Sequence, residues 1–579
     1  MKKPQILKIA VAAKLLLIFL FLSSPPIAQA QFTFTTNSDG SLNISQYTGP
    51  GGAVIIPNTT NGLPITSIGD ASFFNNSTLT SVTVGTNVAN IADQAFSYSS
   101  LTNVSLPASV TNIAFDSFHN CNELTAIAVA TNDPDYSSVA GVLFNQNQTN
   151  LITFPEGKAG SYAVPASVTD IGTYAFFDSS NLTSVAISTN VSTIENYAFY
   201  ICPGLTAFTV NTNNQWYSSV AGVLFDKSQD TLIQYPVGNA ASSYVIPNSV
   251  TNIGMEAFFE AGNLTNVTFG TNVDIIGGVA FEYCYGLTSI TVPNSVTIIS
   301  GGAFAECDRL ANINIGTGVT NIMFQAFLDC YGVTNIVVAA GNPAFSTFDG
   351  VLFNENQTAL YLYPAASSSV SYIVPNTVTD IVAEAFIDSF NLTSVTLDPN
   401  LQIIEGQAFQ NCFDLTSIAI PNSVTNVGIF AFYQCLSLTN VVVGTGVTNI
   451  GYQVFAYCYD LEGVYFTSNA PAMNADTFDG DSAATAYYLS GTTGWVTTFD
   501  GIPTAPWLPE IVDNAVRTNQ FSFYVDWASG QNVVVEGCTN LSHPAWSPLQ
   551  TNQLVGSSWF FSDAQWTKYP NRFYRAISP

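Results

Sequence analysis

The residues able to do chemistry are few and poorly placed for it. The chain holds two histidines, His119 and His543, against 39 carboxylates. His119 stands beside a recurring Phe and reads as a surface residue, whereas His543, in Ser542-His543-Pro544, reads as a turn. No Ser-His-Asp motif accompanies either, so nucleophilic acyl transfer has no support. A glycosidase would need two carboxyl groups converging on one sugar bond. The acids here scatter through loops, and no pair stands out. Asp476, Asp479 and Asp481 crowd one turn without the spacing of a dedicated calcium loop, so a solvated turn is expected there. No catalytic residue, metal ligand or cofactor is assigned, and the chain is expected not to be an enzyme.

Nine cysteines remain. Cys121, Cys202, Cys284, Cys307, Cys330, Cys412, Cys435 and Cys458 each follow a Phe by three positions, while Cys538 stands apart. Asn76, Ser99, Ser179, Ala261 and Ser389 fill the same slot elsewhere. A slot shared by Cys, Ser, Asn and Ala asks for a small buried side chain rather than a covalent partner. Disulfides between neighbouring copies stay open on spacing grounds. Zinc is disfavoured, because ligands one copy apart form a line and not a tetrahedron.

These slots belong to a repeat that must position everything else. Its closing Phe recurs at Phe73, Phe96, Phe118, Phe176, Phe199, Phe258, Phe281, Phe304, Phe327, Phe386, Phe409, Phe432, Phe455 and Phe478. Most intervals are 23 residues, one is 22, and three are 58 or 59. In the copy from Leu287, the apolar Ile290 and Val292 alternate with Ser289 and Thr291, which marks a short half-buried strand. Pro293 ends it, Val296 and Ile299 supply a second inward wall, and Ala303-Phe304 closes the coil. One coil cannot bury its apolar side alone, so stacked neighbours are required. The fold class is mainly β: a leucine-rich-repeat solenoid of ~23-residue coils with a parallel sheet.

The run Leu-x-x-Ile-x-Ile-Pro-x-x-Val-x-x-Ile-x-x-x-Ala-Phe-x-x-Cys is similar to the BspA-like, or treponemal-type, bacterial leucine-rich repeat family, over roughly residues 50–480. The resemblance implies a solenoid with a ladder of reduced, buried thiols. It also implies a secreted or surface-exposed protein, some members of the family being adhesins.

Met1 to Ala30 has the form of a secretory signal peptide: Lys2, Lys3, Lys8 and Lys14, the apolar run Leu15 to Leu22, and Ala28-Gln29-Ala30 before Gln31. Its removal takes four Lys and no acids, so the formal charge of −28 becomes −32 (−28 − 4) and seven Lys and Arg remain. Nucleic acid is excluded as a partner, since phosphate contact needs clustered cations. No second long apolar run follows, so no transmembrane segment is expected in the mature chain. The expected domains are an N-terminal β cap (31–64), the solenoid (65–482), a C-terminal cap with Pro-rich linker (483–509) and a small β-sandwich-like module (510–579). Three inserts at 137–157, 218–238 and 346–366 share Ser-x-x-x-Gly-Val-Leu-Phe and read as hairpin-like coils that continue the sheet; freely protruding loops are the alternative.

Function must then lie on a surface. The outward strand positions Asn266, Thr268, Ser289, Thr291, Asn312, Asn314 and Asn335 form a neutral face of hydroxyls and amides suited to many weak hydrogen bonds. Tyr136, Trp216, Tyr217 and Phe345 precede the inserts and are the candidate aromatic contacts. A solvent-facing row of those rings would favour a glycan, and their burial would favour protein contact through the coil edges. An extracellular protein or glycan is the expected partner, at the cell surface or after secretion.

Overall fold

The computed structural model describes residues 31–579, so the expected signal peptide lies outside the described residues. The chain falls into two compact units; Ser243–Asn248 and Leu264–Pro579 make the second, and the first holds the remainder up to Asn263. Both use the same coil. Almost every element is a strand, and the one helical element among the described residues is the 3-10 turn Trp566–Lys568.

In the second unit, Ser289–Thr291 pairs in parallel with Asn266–Thr268 and with Asn312–Ile315, one coil away on either side. The two-residue strand Ile298–Ile299 pairs likewise with Ile275–Ile276 and Asn321–Ile322. Each coil therefore feeds two parallel sheets. The wall expected at Val296 and Ile299 is itself a ladder, because the chain leaving Pro293 turns back into extended backbone. Ile290, Val292, Val296 and Ile299 are all buried between the two sheets.

The closing turn completes the coil by local backbone strain. Residues two before and two after the closing Phe take left-handed conformations at every turn except at Asp116, before Phe118, as Gln325 (φ 63°) and Asp329 (φ 54°) do around Phe327. Such a conformation costs a non-glycine residue about 1–2 kcal/mol. Val279 (φ 49°) and Ile201 (φ 57°) are the β-branched cases, and the coil after Val279 has Gly302 (φ 65°) at the same place. Val279→Gly is accordingly expected to stabilise the fold by about 1 kcal/mol in chemical denaturation; a lower unfolding midpoint would contradict the strain argument.

Inside, the closing rings stack in columns. Phe386, Phe409, Phe432, Phe455 and Phe478 follow one another with centroids 4.7, 5.0, 5.5 and 5.7 Å apart. In the first unit Phe73, Phe96 and Phe118 do the same at 4.9 and 5.5 Å. The cysteine slot stitches the columns: the thiols of Cys307, Cys330 and Cys435 donate to the carbonyls of Phe281, Phe304 and Phe409, at 3.2, 3.0 and 3.1 Å. The slot thus rewards a small donor as well as small size. All nine cysteines are free and buried, and burial pushes the Cys121 thiol up to about 12. A thiol reagent is expected to modify none of the nine in the native protein and all of them after denaturation; rapid native labelling would refute the packing.

The inserts continue the sheet of short strands. Tyr136–Val139 and Val142–Asn145 form an antiparallel hairpin, Asn150–Thr153 returns beside it, and that strand pairs in parallel with Asp170–Ile171. Phe345–Phe348, Val351–Asn354 and Ala359–Leu362 repeat the arrangement in the second unit. At the N-terminal end Phe32–Thr36 pairs antiparallel with Leu42–Tyr47, while Gly52–Ile55 is already parallel to Leu79–Thr83. Towards the C-terminus Thr485–Tyr488 and Ile502–Pro506 add parallel strands to the stack.

Residues beyond Pro509 form two three-stranded antiparallel sheets, one around Gln520–Asp526 and one around Asn532–Cys538. They enclose Phe523, Val525, Trp527, Val533, Val535 and Phe561. Leu489 joins this core and the Trp527 indole donates to the Trp507 carbonyl (3.0 Å), which ties the module to the last coil. Arg572 and Arg575 pair with Asp563 and Glu536 (3.0 and 2.7 Å), so the module's own acids take its basic cluster.

Candidate binding surface at the closing turns

The polar strand face is assembled in register. Asn266, Ser289, Asn312 and Asn335 form one row, and Thr291 and Asn314 lie side by side in the next; Thr268 is exposed on the same face. Part of its bonding capacity is spent internally, the Asn314 amide donating to Thr291 Oγ1 and to the Ile290 carbonyl (both 3.3 Å). A shallow groove of about 700 Å³ crosses Thr291, Pro293, Asn314 and Val337.

The aromatics ahead of the inserts do not make a solvent-facing row. Phe345 is buried, edge-on to Tyr361 at 5.3 Å. Tyr136 and Tyr217 are half-buried, and their hydroxyls bond the preceding coil: Tyr136 donates to the Thr111 carbonyl (3.4 Å), and Tyr217 accepts from Ile194 N (3.0 Å) and donates to the Ser192 carbonyl (3.3 Å). Trp216 alone is well exposed. Their burial has a simple cause. Asp133, Asn214 and Asn342 accept from the backbone N–H groups that follow them and fold each chain segment down onto the coil.

Other rings gather outside the closing turns, in the first unit with Phe115 exposed, Phe259 buried and five between them half-buried, and the inserts explain why. From Ile171 to Phe176 is five positions, whereas from its pairing partner Leu151 to Phe154 is three. Leu232 to Tyr235 and Leu360 to Tyr363 are equally short. Each insert coil keeps the inner ring, Phe154 lying tilted against Phe176 at 5.1 Å, but lacks the two residues that bulge the turn outward. Side chains of the coils on either side then meet across the gap. In the first unit His119 stacks on Phe177 at 4.2 Å, Phe115 on Tyr174 at 5.6 Å, and Tyr200 meets Phe259 at 4.3 Å. Tyr174 continues to Tyr197 (5.1 Å) and Phe177 to Tyr200 (6.0 Å). Seven rings form one strip, ending at Phe115, which is 64 % exposed, beside a cavity of about 230 Å³ shared with Tyr98 and Asp116. His119, expected at the surface, is half-buried here, and burial holds its imidazole down to about 4, so it is a neutral ring at physiological pH. The signal for this strip lay in variable positions, where Tyr and Phe replace the polar residues of other copies.

The missing bulge also leaves a backbone donor without its usual acceptor. In regular coils the residue two after the Phe donates to the next coil, as Tyr98 N does to the His119 carbonyl (3.0 Å). For Asn120 N the acceptor is Glu156 Oε1 at 2.9 Å. With the Asn122 amide nitrogen turned inward, it donates to Glu156 Oε2 (3.1 Å) and Asp178 Oδ2 (2.9 Å). Burial, with Asp178 adding to it, raises the Glu156 carboxyl to about 9.

Acids elsewhere on the turns are raised as well. Burial first, then Asp329, raises Asp388, and burial raises Asp481 to about 8. The cavity beside Asp329 and Asp388 holds about 10 Å³, room for one water and not for a substrate. Among the described residues no group of three or more His, Cys, Asp or Glu is placed to hold a metal ion.

A family model for the BspA-type leucine-rich repeat region matches six copies, over residues 53–161, 153–221, 238–358 and 361–485. The chain belongs to the BspA-type leucine-rich repeat family. BspA-type repeats thus account for the coils, the Phe columns and the thiol ladder. Solved structures with the same kind of repeat include a leucine-rich cell surface protein from Faecalibacterium prausnitzii (24 % identity, 77 % of this chain and 96 % of that one, TM-score 0.33). A leucine-rich repeat protein from Eubacterium ventriosum is similar at 22 % identity, covering 70 % and 93 %, with a TM-score of 0.37. The pneumococcal vaccine antigen PcpA is similar at 15 % identity, covering 79 % and 92 %, with a TM-score of 0.22. No curated protein matches the sequence. Among the described residues no helix is long and apolar enough to cross a membrane.

Proposed function

We propose that this BspA-type chain is an exported, non-enzymatic protein of adhesion type, which binds another protein through the closing-turn strip of its first unit. The observation that carries the reading is the continuous array Phe115, His119, Tyr174, Phe177, Tyr197, Tyr200 and Phe259. Tyrosine and other large rings, held rigid by one another, are the side chains that concentrate protein-binding energy. Their stacking also argues against a sugar. Rings stacked along the coils occupy one another's faces and offer edges and hydroxyls, whereas a pyranose stacks on a free face. The resemblance of Met1–Ala30 to a signal peptide supports export.

Panels of extracellular-matrix proteins and of polysaccharides, probed with the protein and with the variant Phe115→Ala/Tyr174→Ala, test this. Saturable binding to a protein, weakened at least about tenfold by the double substitution, is expected. Binding confined to polysaccharides, or indifferent to the substitutions, would reject it.

A further inference from the structure

The third insert leaves a different opening. Between the turn of Phe327 and that of Phe386 lies a groove of about 310 Å³, walled by Met323, Phe324 and Leu328 on one side and Ile387 on the other, with Leu362 also lining it. Tyr331 meets Phe390 across this gap at 5.8 Å, but neither ring lines the groove. Met323 and Phe324 are 46 % and 58 % exposed, apolar side chains left in water at its mouth. Across it Gln325 Nε2 donates to Glu384 Oε1 at 3.2 Å. Glu384 is itself buried, and its carboxylate faces a neutral amide where a cation would be the stronger partner.

The charge of this region points to what would supply that cation. Residues 31–509 hold 34 of the 39 acids (five, Glu510, Asp513, Asp526, Glu536 and Asp563, lie beyond) and only Lys158, Lys227 and Arg309 as cations. The three ion pairs found among the described residues all fall in the C-terminal module. A groove lined by apolar side chains and by the carboxyl groups of Glu384 and Glu405, in a chain segment with almost no cations, complements a segment that is both apolar and basic.

We propose that this groove is a docking site for a basic, amphipathic segment of a partner protein. An apolar side chain enters between Phe324 and Ile387, and a neighbouring Lys or Arg displaces the Gln325 amide to pair with Glu384. Burial raises the Glu384 carboxyl to about 7, and an arriving cation would bring it down. The site is in the second unit and does not depend on the aromatic strip.

The test is a random decapeptide phage library panned on the full chain, with counter-selection on Met323→Ser/Phe324→Ser. Both altered side chains are exposed, so the fold is retained. Enriched peptides should place Lys or Arg beside Leu, Phe or Ile. As synthetic peptides they should bind Glu384→Gln at least about tenfold more weakly than the parent, and Glu195→Gln, an exposed acid of the first unit, equally well. Enrichment of acidic or uncharged sequences, peptides that bind the Met323/Phe324 variant or Glu384→Gln as well as the parent, or no enrichment at all would each overturn the proposal.

Discussion

Phe409→Ala is expected to destabilise the second unit by about 3–5 kcal/mol, the range for removing a fully buried large ring. Phe409 has no exposed surface and lies between Phe386 and Phe432, its centroid 4.7 and 5.0 Å from theirs. Its carbonyl also accepts the Cys435 thiol, so a shift of this turn loosens the coil above. A solenoid is held by nearest-neighbour interfaces, and one missing ring weakens the interface on both sides of its coil. Phe409→Leu keeps most of the volume and should cost markedly less. Chemical denaturation of the three proteins decides the matter; a loss below about 1 kcal/mol for alanine would mean that the stacks are not the core of the fold.

Raising the pH should also destabilise the protein, with Glu156 the largest single contributor. Its folded carboxyl is raised from 4.5 to about 9, and Asp481 and Glu384 are raised to about 8 and about 7. Each holds its proton more tightly folded than unfolded. The stability this provides is fully present below the unfolded value near 4.5, and is lost as pH rises through the folded value. Self-repulsion in a chain of formal charge −28 acts in the same direction. The thermal midpoint should therefore fall between about pH 5.5 and 8.5. Glu156→Gln still accepts the Asn120 N–H and cannot ionise, so its profile should be flatter and its stability higher at the alkaline end. Glu156→Ala leaves that donor unpaired and should cost about 1–3 kcal/mol. A glutamine variant with the parent's slope would show that Glu156 is ionised in the native protein.

The parts legible in the sequence were those that burial repeats. Ile290, Val292, Val296, Ile299 and Phe304 recur because every coil must fill the same interior, and all five are buried. The small slot at Cys307 was legible too, though its hydrogen bond to Phe281 was not, since spacing says nothing of what a thiol faces. The second sheet was read only as a wall, because two residues such as Ile298–Ile299 are too short to show an alternation. The surface was the hard part. Outward positions carry no packing constraint, so Phe115, Tyr174 and Phe324 resemble ordinary variation until the coils are superposed. The shortening from five positions to three, at Leu151 to Phe154, was present in the chain. It acquires meaning only once Leu151 is known to pair with Ile171. Phe345 shows the converse: an aromatic beside an insert invites a binding role, yet the hairpin folds it against Tyr361.

The most direct test of the account compares two surfaces of one folded protein. For a matrix protein that binds the full chain, affinity should be measured for Phe115→Ala/Tyr174→Ala and for Asn312→Ala/Asn335→Ala on the polar strand face, with folding checked by thermal denaturation. The closing-turn account predicts a loss of at least about tenfold for the first variant and little change for the second. A loss confined to the strand-face variant would contradict it and return function to the row of amides and hydroxyls.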